Sequence, residues 1–259
     1  MSFQGLPCWF ELSVADLDAA QAFYGPILGW NWTSAGMEGL DYRLARAGED
    51  MVAGGLPLDV CPPGTPPNWM IYISVENCDA TAQLCADLGG KVWKEPTDIP
   101  GTGRFAILGD PQGAVIGIMQ LEPMDPPSPS GAWDQRTPGH GTWLDLTCPA
   151  PIAGLEFYRK LFGWRRNMQF PAGRAGTYFV FAHEGTRIGG AMGLGESDCT
   201  PPPHWLPYFS VPALRRALEQ VTQLGGAVLR GPIEVPGTAF TATVKDPQGA
   251  IFALVARNR

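Results

Sequence analysis

Apolar and polar residues alternate in short stretches that recur along the chain. Around Phe10–Val14, the residues Phe10, Leu12 and Val14 share one parity and Trp9, Glu11 and Ser13 the other, the period-2 signature of a strand with one buried face. The same alternation sets Leu144 and Leu146 against Trp143, Asp145 and Thr147, and Ile71, Ile73 and Val75 against Met70, Tyr72 and Ser74. A fourth stretch sets Phe209 and Val211 against Leu206, Tyr208 and Ser210. The period then lengthens to that of a helix. Leu214, Ala217, Leu218, Val221 and Leu224 form an amphipathic stripe stopped by Gly225–Gly226, while Thr81, Leu84, Cys85 and Leu88 do so ahead of Gly89–Gly90. Leu17, Ala20 and Tyr24 follow Asp16, a natural N-cap. Each helix needs a sheet to cover, so the aliphatic strand face is expected against the helix, with carboxylate, phenol, hydroxyl and indole on the opposite face.

These elements occur twice over. "DPQGA" at Asp110–Ala114 returns at Asp246–Ala250, "WMIYISV" at Trp69–Val75 is answered by "WLPYFSV" at Trp205–Val211, and "PGT" at Pro100–Thr102 returns at Pro236–Thr238, all 136 residues apart. Earlier in each half, "WFEL" at Trp9–Leu12 answers "WLDL" at Trp143–Leu146, and "FYGPILGW" at Phe23–Trp30 answers "FYRKLFGW" at Phe157–Trp164, 134 residues apart. The chain is a tandem duplication with a two-residue insertion in its second half. Proline- and glycine-rich stretches at Pro57–Pro67, Glu122–Gly141 and Gly195–Pro203 read as loops and cut it into four strand–helix–strands blocks. With hairpin signals at Ala47–Gly55 and His183–Ala191, the class is α+β rather than doubly wound. A curved sheet made from two blocks turns its polar-aromatic face inward as a cup, and two halves give two cups. The expected division is residues 1–121, a linker at 122–139, and 140–259.

A length of 259 residues with 45% hydrophobic side chains suits two modest domains. The net charge of −7 disfavours nucleic acid and anionic membrane as partners. With no secretory signal pattern and no long apolar run, a cytoplasmic location is expected. Cys8, Cys61, Cys78, Cys85, Cys148 and Cys199 form no C-x-x-C pair and read as structural thiols. His140, His183 and His204 are scattered and make no H-E-x-x-H pattern.

The combination of an Asp-capped "AFYGPILGW" or its counterpart "EFYRKLFGW" with a downstream "GDPQGAVIGIMQ" or "KDPQGAIFALVA" resembles the vicinal oxygen chelate superfamily. This superfamily includes glyoxalase I, extradiol dioxygenases and bleomycin- and fosfomycin-resistance proteins, and the chain is most similar to its tandem glyoxalase-like members. The resemblance implies four βαβββ modules in two domains. Within it "DPQGA" is the tight turn before the last strand of an even module, a structural element. It also implies divalent-metal ligands at the start of each first strand and on each last strand, positions that here are Trp9, Met70 and Gly117, then Trp143, Leu206 and Ala253. None of the six suits a hard or borderline cation, and His204, two residues before Leu206, is one imidazole without partners at ligand spacing. No metal and no cofactor are therefore expected.

The remaining candidates line the inward face. Glu11 and Asp145 occupy matching positions, as do Tyr72 and Tyr208, beside Trp9 and Trp143. A carboxylate near an indole suits general acid/base work, and a tyrosine suits holding a substrate oxygen. The alternative is a buried structural pair of acid and phenol. Trp9, Trp143, Met70 and Leu206 are the candidate ligand-binding residues, and Arg104, replaced by Phe240 in the second half, suits an anionic substrate group or a surface ion pair. Nine tryptophans favour a flat apolar ligand. The expected function is small-molecule binding, with metal-independent acid/base chemistry as an extension. The alternative is a lyase, isomerase or dioxygenase with a non-standard metal site. The expected partner is a small molecule, and the expected state is monomer or homodimer.

Overall fold

The computed structural model describes residues 4–122, 131–195, 201–237 and 239–258. Cys199 and residues 123–130 of the expected linker lie outside the described residues. Four βαβββ modules follow one another. The first comprises β1 (Pro7–Val14), α1 (Leu17–Leu28), β2 (Asn31–Ser34), β3 (Arg43–Ala47) and β4 (Asp50–Pro57). The second comprises β5 (Asn68–Ser74), α2 (Cys78–Asp87), β6 (Lys91–Ile99), β7 (Gly103–Gly109) and β8 (Val115–Leu121). The third comprises β9 (Gly141–Thr147), α3 (Pro151–Phe162), β10 (Arg165–Pro171), β11 (Thr177–His183) and β12 (Thr186–Met192). The fourth comprises β13 (His204–Ser210), α4 (Leu214–Gln223), β14 (Ala227–Val235), β15 (Ala239–Lys245) and β16 (Ile251–Ala256).

The strands form two eight-stranded sheets, ordered β2-β3-β4-β1-β5-β8-β7-β6 and β10-β11-β12-β9-β13-β16-β15-β14. Within every module the first and last strands are parallel, and the helix supplies the crossover that a parallel pair requires. The other pairs within a module are antiparallel hairpins.

Strand parity behaves as the alternation requires. Phe10, Leu12, Val14, Leu144, Leu146, Ile71, Ile73, Phe209 and Val211 are all buried. On α1, Asp16 accepts from the Ala19 amide as N-cap, and Leu17, Ala20, Phe23, Tyr24, Ile27 and Leu28 are buried. The stripe on α2 differs from the expected one. Leu84 is exposed; of the expected stripe Cys85 is buried, and Cys78 and Ala82 are buried with it. Small side chains let this helix lie close to the strand beneath it, with Cys85 Sγ 3.7 Å from the Gly109 carbonyl.

The chain divides into two compact units, and each draws on both halves of the duplication. One contains the described residues of Met1–Cys8, Ile71–Pro127 and Trp143–Leu206, and the other those of Trp9–Met70, Ser128–Thr142 and Pro207–Arg259. "DPQGA" explains how. In the second unit, Asp246 Oδ1 accepts the amides of Gln248, Gly249 and Ala250 at 2.7–2.9 Å and so builds its own turn, with Gly249 supplying a φ of +111°. Its other oxygen, Oδ2, accepts the Tyr24 hydroxyl of α1 at 2.9 Å. The Tyr24 oxygen in turn accepts the Trp69 indole N–H at 3.1 Å. Gln248 completes the clasp, accepting from the Asp16 amide at 2.8 Å and donating to the Asp16 carbonyl at 2.7 Å.

The first unit repeats this clasp. Asp110 holds its turn through Gln112 and Ala114, accepts the Tyr158 hydroxyl at 3.2 Å, and Tyr158 accepts from Trp205 at 3.0 Å. Gln112 grips both backbone groups of Ala150 at the start of α3. A second duplicated contact reinforces each unit: the Trp30 indole donates to the Gly139 carbonyl in one and the Trp164 indole to the Gly5 carbonyl in the other, both at 2.7 Å. "FY" and "DPQGA" thus recur together because each is the other's binding partner.

Three outcomes follow. Tyr24→Phe and Tyr158→Phe each strand a buried carboxylate oxygen and an indole N–H, so each should cost roughly 2–3 kcal/mol in denaturant unfolding. Burial, and then the neighbouring Asp246 or Asp110 carboxylate, hold both phenols well above their ordinary value. The unfolded chain ionises its phenols near pH 10 while the native one does not, so stability is intact below about pH 10 and falls above it, by up to about 1.4 kcal/mol per phenol per pH unit. The slope should flatten in the Tyr24→Phe and Tyr158→Phe double variant, and an unchanged slope would contradict the assignment. Finally, a fragment of residues 1–122 keeps Tyr24 and Asp110 but lacks Asp246 and Tyr158. Sedimentation should show it self-associating, pairing Tyr24 of one copy with Asp110 of another; a cooperatively folded monomer would count against interlocked modules.

Candidate functional site

Alternation along β1 puts Trp9 and Glu11 on the face that does not meet the helix. Tyr42, immediately before β3, joins them. The Trp9 indole donates to the Tyr42 oxygen at 2.9 Å, and the Tyr42 hydroxyl donates to Glu11 Oε2 at 2.9 Å. The tyrosine reaches Glu11 by lying over the neighbouring strand, where Gly54 pairs with Glu11 in the β1–β4 register. Any side chain at Gly54 would collide with the Tyr42 ring and hydroxyl. Burial, and then the Glu11 charge, push the Tyr42 phenol well above its ordinary value, so it stays protonated and able to donate.

The other half builds the same relay. Trp143 donates to the Tyr178 oxygen at 2.8 Å, and the Tyr178 hydroxyl donates to Asp145 Oδ1 at 2.5 Å. Gly190 pairs with Asp145, and a side chain there would meet the Tyr178 ring. Asp145 is shorter than Glu11 by one methylene, and Trp143 also donates to its Oδ1 at 3.1 Å. Asp145 is buried, whereas Glu11 is half-buried.

Tyr42 and Tyr178 were absent from the candidates drawn from sequence. A signal was present: the two are 136 residues apart, within the duplication register, in otherwise dissimilar surroundings, "DYRLA" and "TYFVF".

In all four modules the first-strand residue of this face stands beside a small residue on the last strand: Glu11 by Gly54, Tyr72 by Gly117, Asp145 by Gly190 and Tyr208 by Ala253. The last-strand position is where the superfamily resemblance calls for a metal-binding glutamate. At Gly117 the space for such a side chain is filled by the Tyr72 ring, itself buried and packed edge-on to Phe105 at 6.2 Å. Ala253 offers only a buried methyl. Trp9 and Trp143 present N–H donors already given to tyrosine, and Met70 and Leu206 present a thioether and an alkyl group. These residues do not fit a hard or borderline divalent cation. Among the described residues no three His, Cys, Asp or Glu side chains gather into a cluster suited to a metal. His204 Nδ1 donates to the Pro202 carbonyl at 2.9 Å.

Arg104 lies on the other side of its strand. It forks onto both oxygens of Asp79, in the first turn of α2, at 2.8 and 2.9 Å, and bonds Asp98 at 2.7 Å. Its neighbour Phe105 is the residue that shares a face with Tyr72. Arg104 is therefore a surface ion-pair partner on the helix side. Two surface depressions lie away from both relays: one of about 510 Å³ against α4 and β14, and one of about 700 Å³ at the end of α1.

Comparison with known proteins agrees with this architecture. The profile of the Glyoxalase/Bleomycin resistance protein/Dioxygenase superfamily matches residues 8–118 and again 142–254. The chain is 30% identical over 256 residues to "Putative glyoxylase CFP32" of Mycobacterium tuberculosis, covering 97% of this chain and 95% of the relative. It is 29% identical to "Anthracycline biosynthesis protein DauV" of a Streptomyces species, covering 97% and 93%. Similar solved folds include the 2,3-dioxygenase LapB of a Pseudomonas species, at a TM-score of 0.67, 17% identity and coverage of 99% and 93%. Another is the Mn(II)-bound glyoxalase of Novosphingobium aromaticivorans, at 0.67, 15% identity and coverage of 100% and 84%. The duplicated βαβββ modules and the two profile matches make this chain a member of the Glyoxalase/Bleomycin resistance protein/Dioxygenase superfamily.

Proposed function

We propose that this protein binds an apolar or aromatic small molecule on its polar-aromatic strand faces, without the superfamily's usual metal centre, and that Glu11 and Asp145 are the groups able to exchange a proton with it. The observation that carries the reading is the relay built twice from tryptophan, tyrosine and carboxylate. In it Tyr42 and Tyr178 lie over Gly54 and Gly190 of the last strands, while the Tyr72 ring fills the space at Gly117, where the resemblance would have a metal ligand. Trp9, Trp143, Met70 and Leu206 supply the apolar contact, and Tyr72 and Tyr208 the phenols nearest a bound oxygen. The ring-filled faces and a net charge of −7 suit a flat molecule with no strong negative charge. A relative named for anthracycline biosynthesis points the same way, since anthracyclines carry a fused-ring chromophore. The ligand acts within the cytoplasm on a monomer or homodimer; among the described residues no helix is long and apolar enough to cross a membrane.

The chemistry available is proton transfer. Tyr42 and Tyr178 orient the two carboxylates, and the tryptophan N–H groups fix the direction in which each phenol donates. Titration with anthraquinone, read by quenching of tryptophan fluorescence, tests the binding. Saturable quenching should survive exhaustive dialysis against a chelator. Loss of binding on chelation, restored by one equivalent of a divalent ion, would overturn the metal-free reading. Glu11→Gln and Asp145→Asn keep shape and remove charge. A structural role predicts a loss of about 1–2 kcal/mol in stability, whereas a functional carboxylate predicts altered binding with little change in melting temperature. Should both variants bind as the parent does, the carboxylates take no part.

A further inference from the structure

The second module closes the seam between its helix and its outermost strand with charge. Arg104 ties Asp79, in the first turn of α2, to Asp98 on β6. The strand β6 also carries Lys91, Lys94 and Glu95, with the Lys91 ammonium 3.5 Å from the centre of the Trp93 ring. Charges of this kind keep an edge strand from meeting another chain. The fourth module lacks the device. At the 136-residue offset Arg215 stands for Asp79, Glu234 for Asp98 and Phe240 for Arg104, and among the described residues no ion pair joins α4 to β14.

What remains at this seam is the groove of about 510 Å³, whose walls include Leu214, Leu218, Val228 and Pro232 together with Arg215 and Glu219. Its apolar surface continues outward. Leu224, Val228, Leu229 and Ile233 are all exposed, and β14 is the outermost strand of its sheet. Large apolar side chains gathered on an exposed face mark an interaction surface. The opposite flank of α4 is taken by α1, where Gln220 donates to the Pro26 carbonyl at 3.2 Å, while Arg215, Glu219, Thr222 and Gln223 on the groove flank are exposed.

Charge identifies the occupant. Arg215 and Glu219 stand one helical turn apart, a spacing at which they could pair with each other, yet neither makes an ion pair among the described residues. One cation and one anion leave the groove without net charge, so it favours neither an anionic nor a cationic ligand. A second α4 running antiparallel reverses the order of the two charges, and each then meets its opposite. That self-complementarity is what a two-fold contact between identical chains requires.

We infer that two copies of this chain associate through the α4–β14 face of the fourth module. Their α4 helices run antiparallel, with Leu218 of each near the two-fold axis and Arg215 of each paired with Glu219 of the other. The contact is independent of any ligand bound on the strand faces.

Sedimentation velocity of the full chain at micromolar concentration should show a dimer. Arg215→Glu places two like-charge contacts in that dimer, and so does Glu219→Arg, so each should weaken self-association about tenfold or more. Both positions are exposed, and the melting temperature should hold. An equimolar mixture of the two variants restores both attractions and should sediment as the parent does, as should one chain carrying both changes. A dimer indifferent to the single changes, or single variants that stay dissociated when mixed, would overturn the assignment to this face. A monomeric parent would overturn the inference outright; if it bound 1-anilinonaphthalene-8-sulfonate and lost that binding in Leu218→Asp, the groove would be a small-molecule site instead.

Discussion

The structure depends on a buried hydrogen-bonded clasp in which one aspartate serves two masters. Asp246 shapes its own turn with one oxygen and secures Tyr24 with the other, and Asp110 does the same for Tyr158. Asp110 and Asp246 are nearly inaccessible to water, where a carboxylate survives only if its lone pairs are satisfied. Backbone amides, a phenol and a tryptophan behind the phenol meet that requirement. Around the clasp the core is aromatic: Tyr24 packs edge-on to Trp69 at 5.3 Å and stacks with Trp30 at 6.2 Å, and Tyr158 has the equivalent contacts with Trp205 and Trp164.

The same three chemical groups are used again on the other face of the sheets with a different balance. Trp9, Tyr42 and Glu11 are half-buried rather than sealed, and their tyrosine lies across a glycine instead of inside a helix interface. An indole, a phenol and a carboxylate in series form a rigid donor chain wherever they occur. Burial decides whether the chain ends in the protein or faces outward. The glycines and the alanine opposite the four first-strand positions belong to this arrangement, since they make room for rings at the corners where bulkier, charged side chains would otherwise stand.

Much of this was legible in the residues. Strand parity, helix caps and the repeated strand–helix–strands order rest on patterns that survive in a single sequence, and the βαβββ form of each module followed from the family resemblance. What was missed is long-range. Tyr24 and Asp246 are 222 residues apart, and nothing local says that "FY" of one half answers "DPQGA" of the other. Tyr42 and Tyr178 sit just ahead of or at the start of a strand, where the period is too short to assign a face, and only their shared offset marks them. Of the two roles the sequence leaves open for Arg104, the surface ion pair is the one it takes, because parity on β7 is settled by its neighbours: Phe105 packs against Tyr72, which turns Arg104 toward α2. On α2 the periodicity picks out Cys85 but also the exposed Leu84 in place of Cys78 and Ala82, whose smallness is what permits close packing.

The exchange of modules between halves also sets an order for a chain leaving the ribosome. The second and third modules are neighbours in sequence, so Tyr158 finds Asp110 already synthesised, after a separation of 48 residues. The first module must wait, because Tyr24 has no aspartate to hold it until nearly the last strand has emerged. The inner pair is therefore complete while the outer pair is still open, and for that interval the first module carries an unsealed aromatic core. In such a nested arrangement the first module is the last to find its partner and the longest in need of shelter during synthesis.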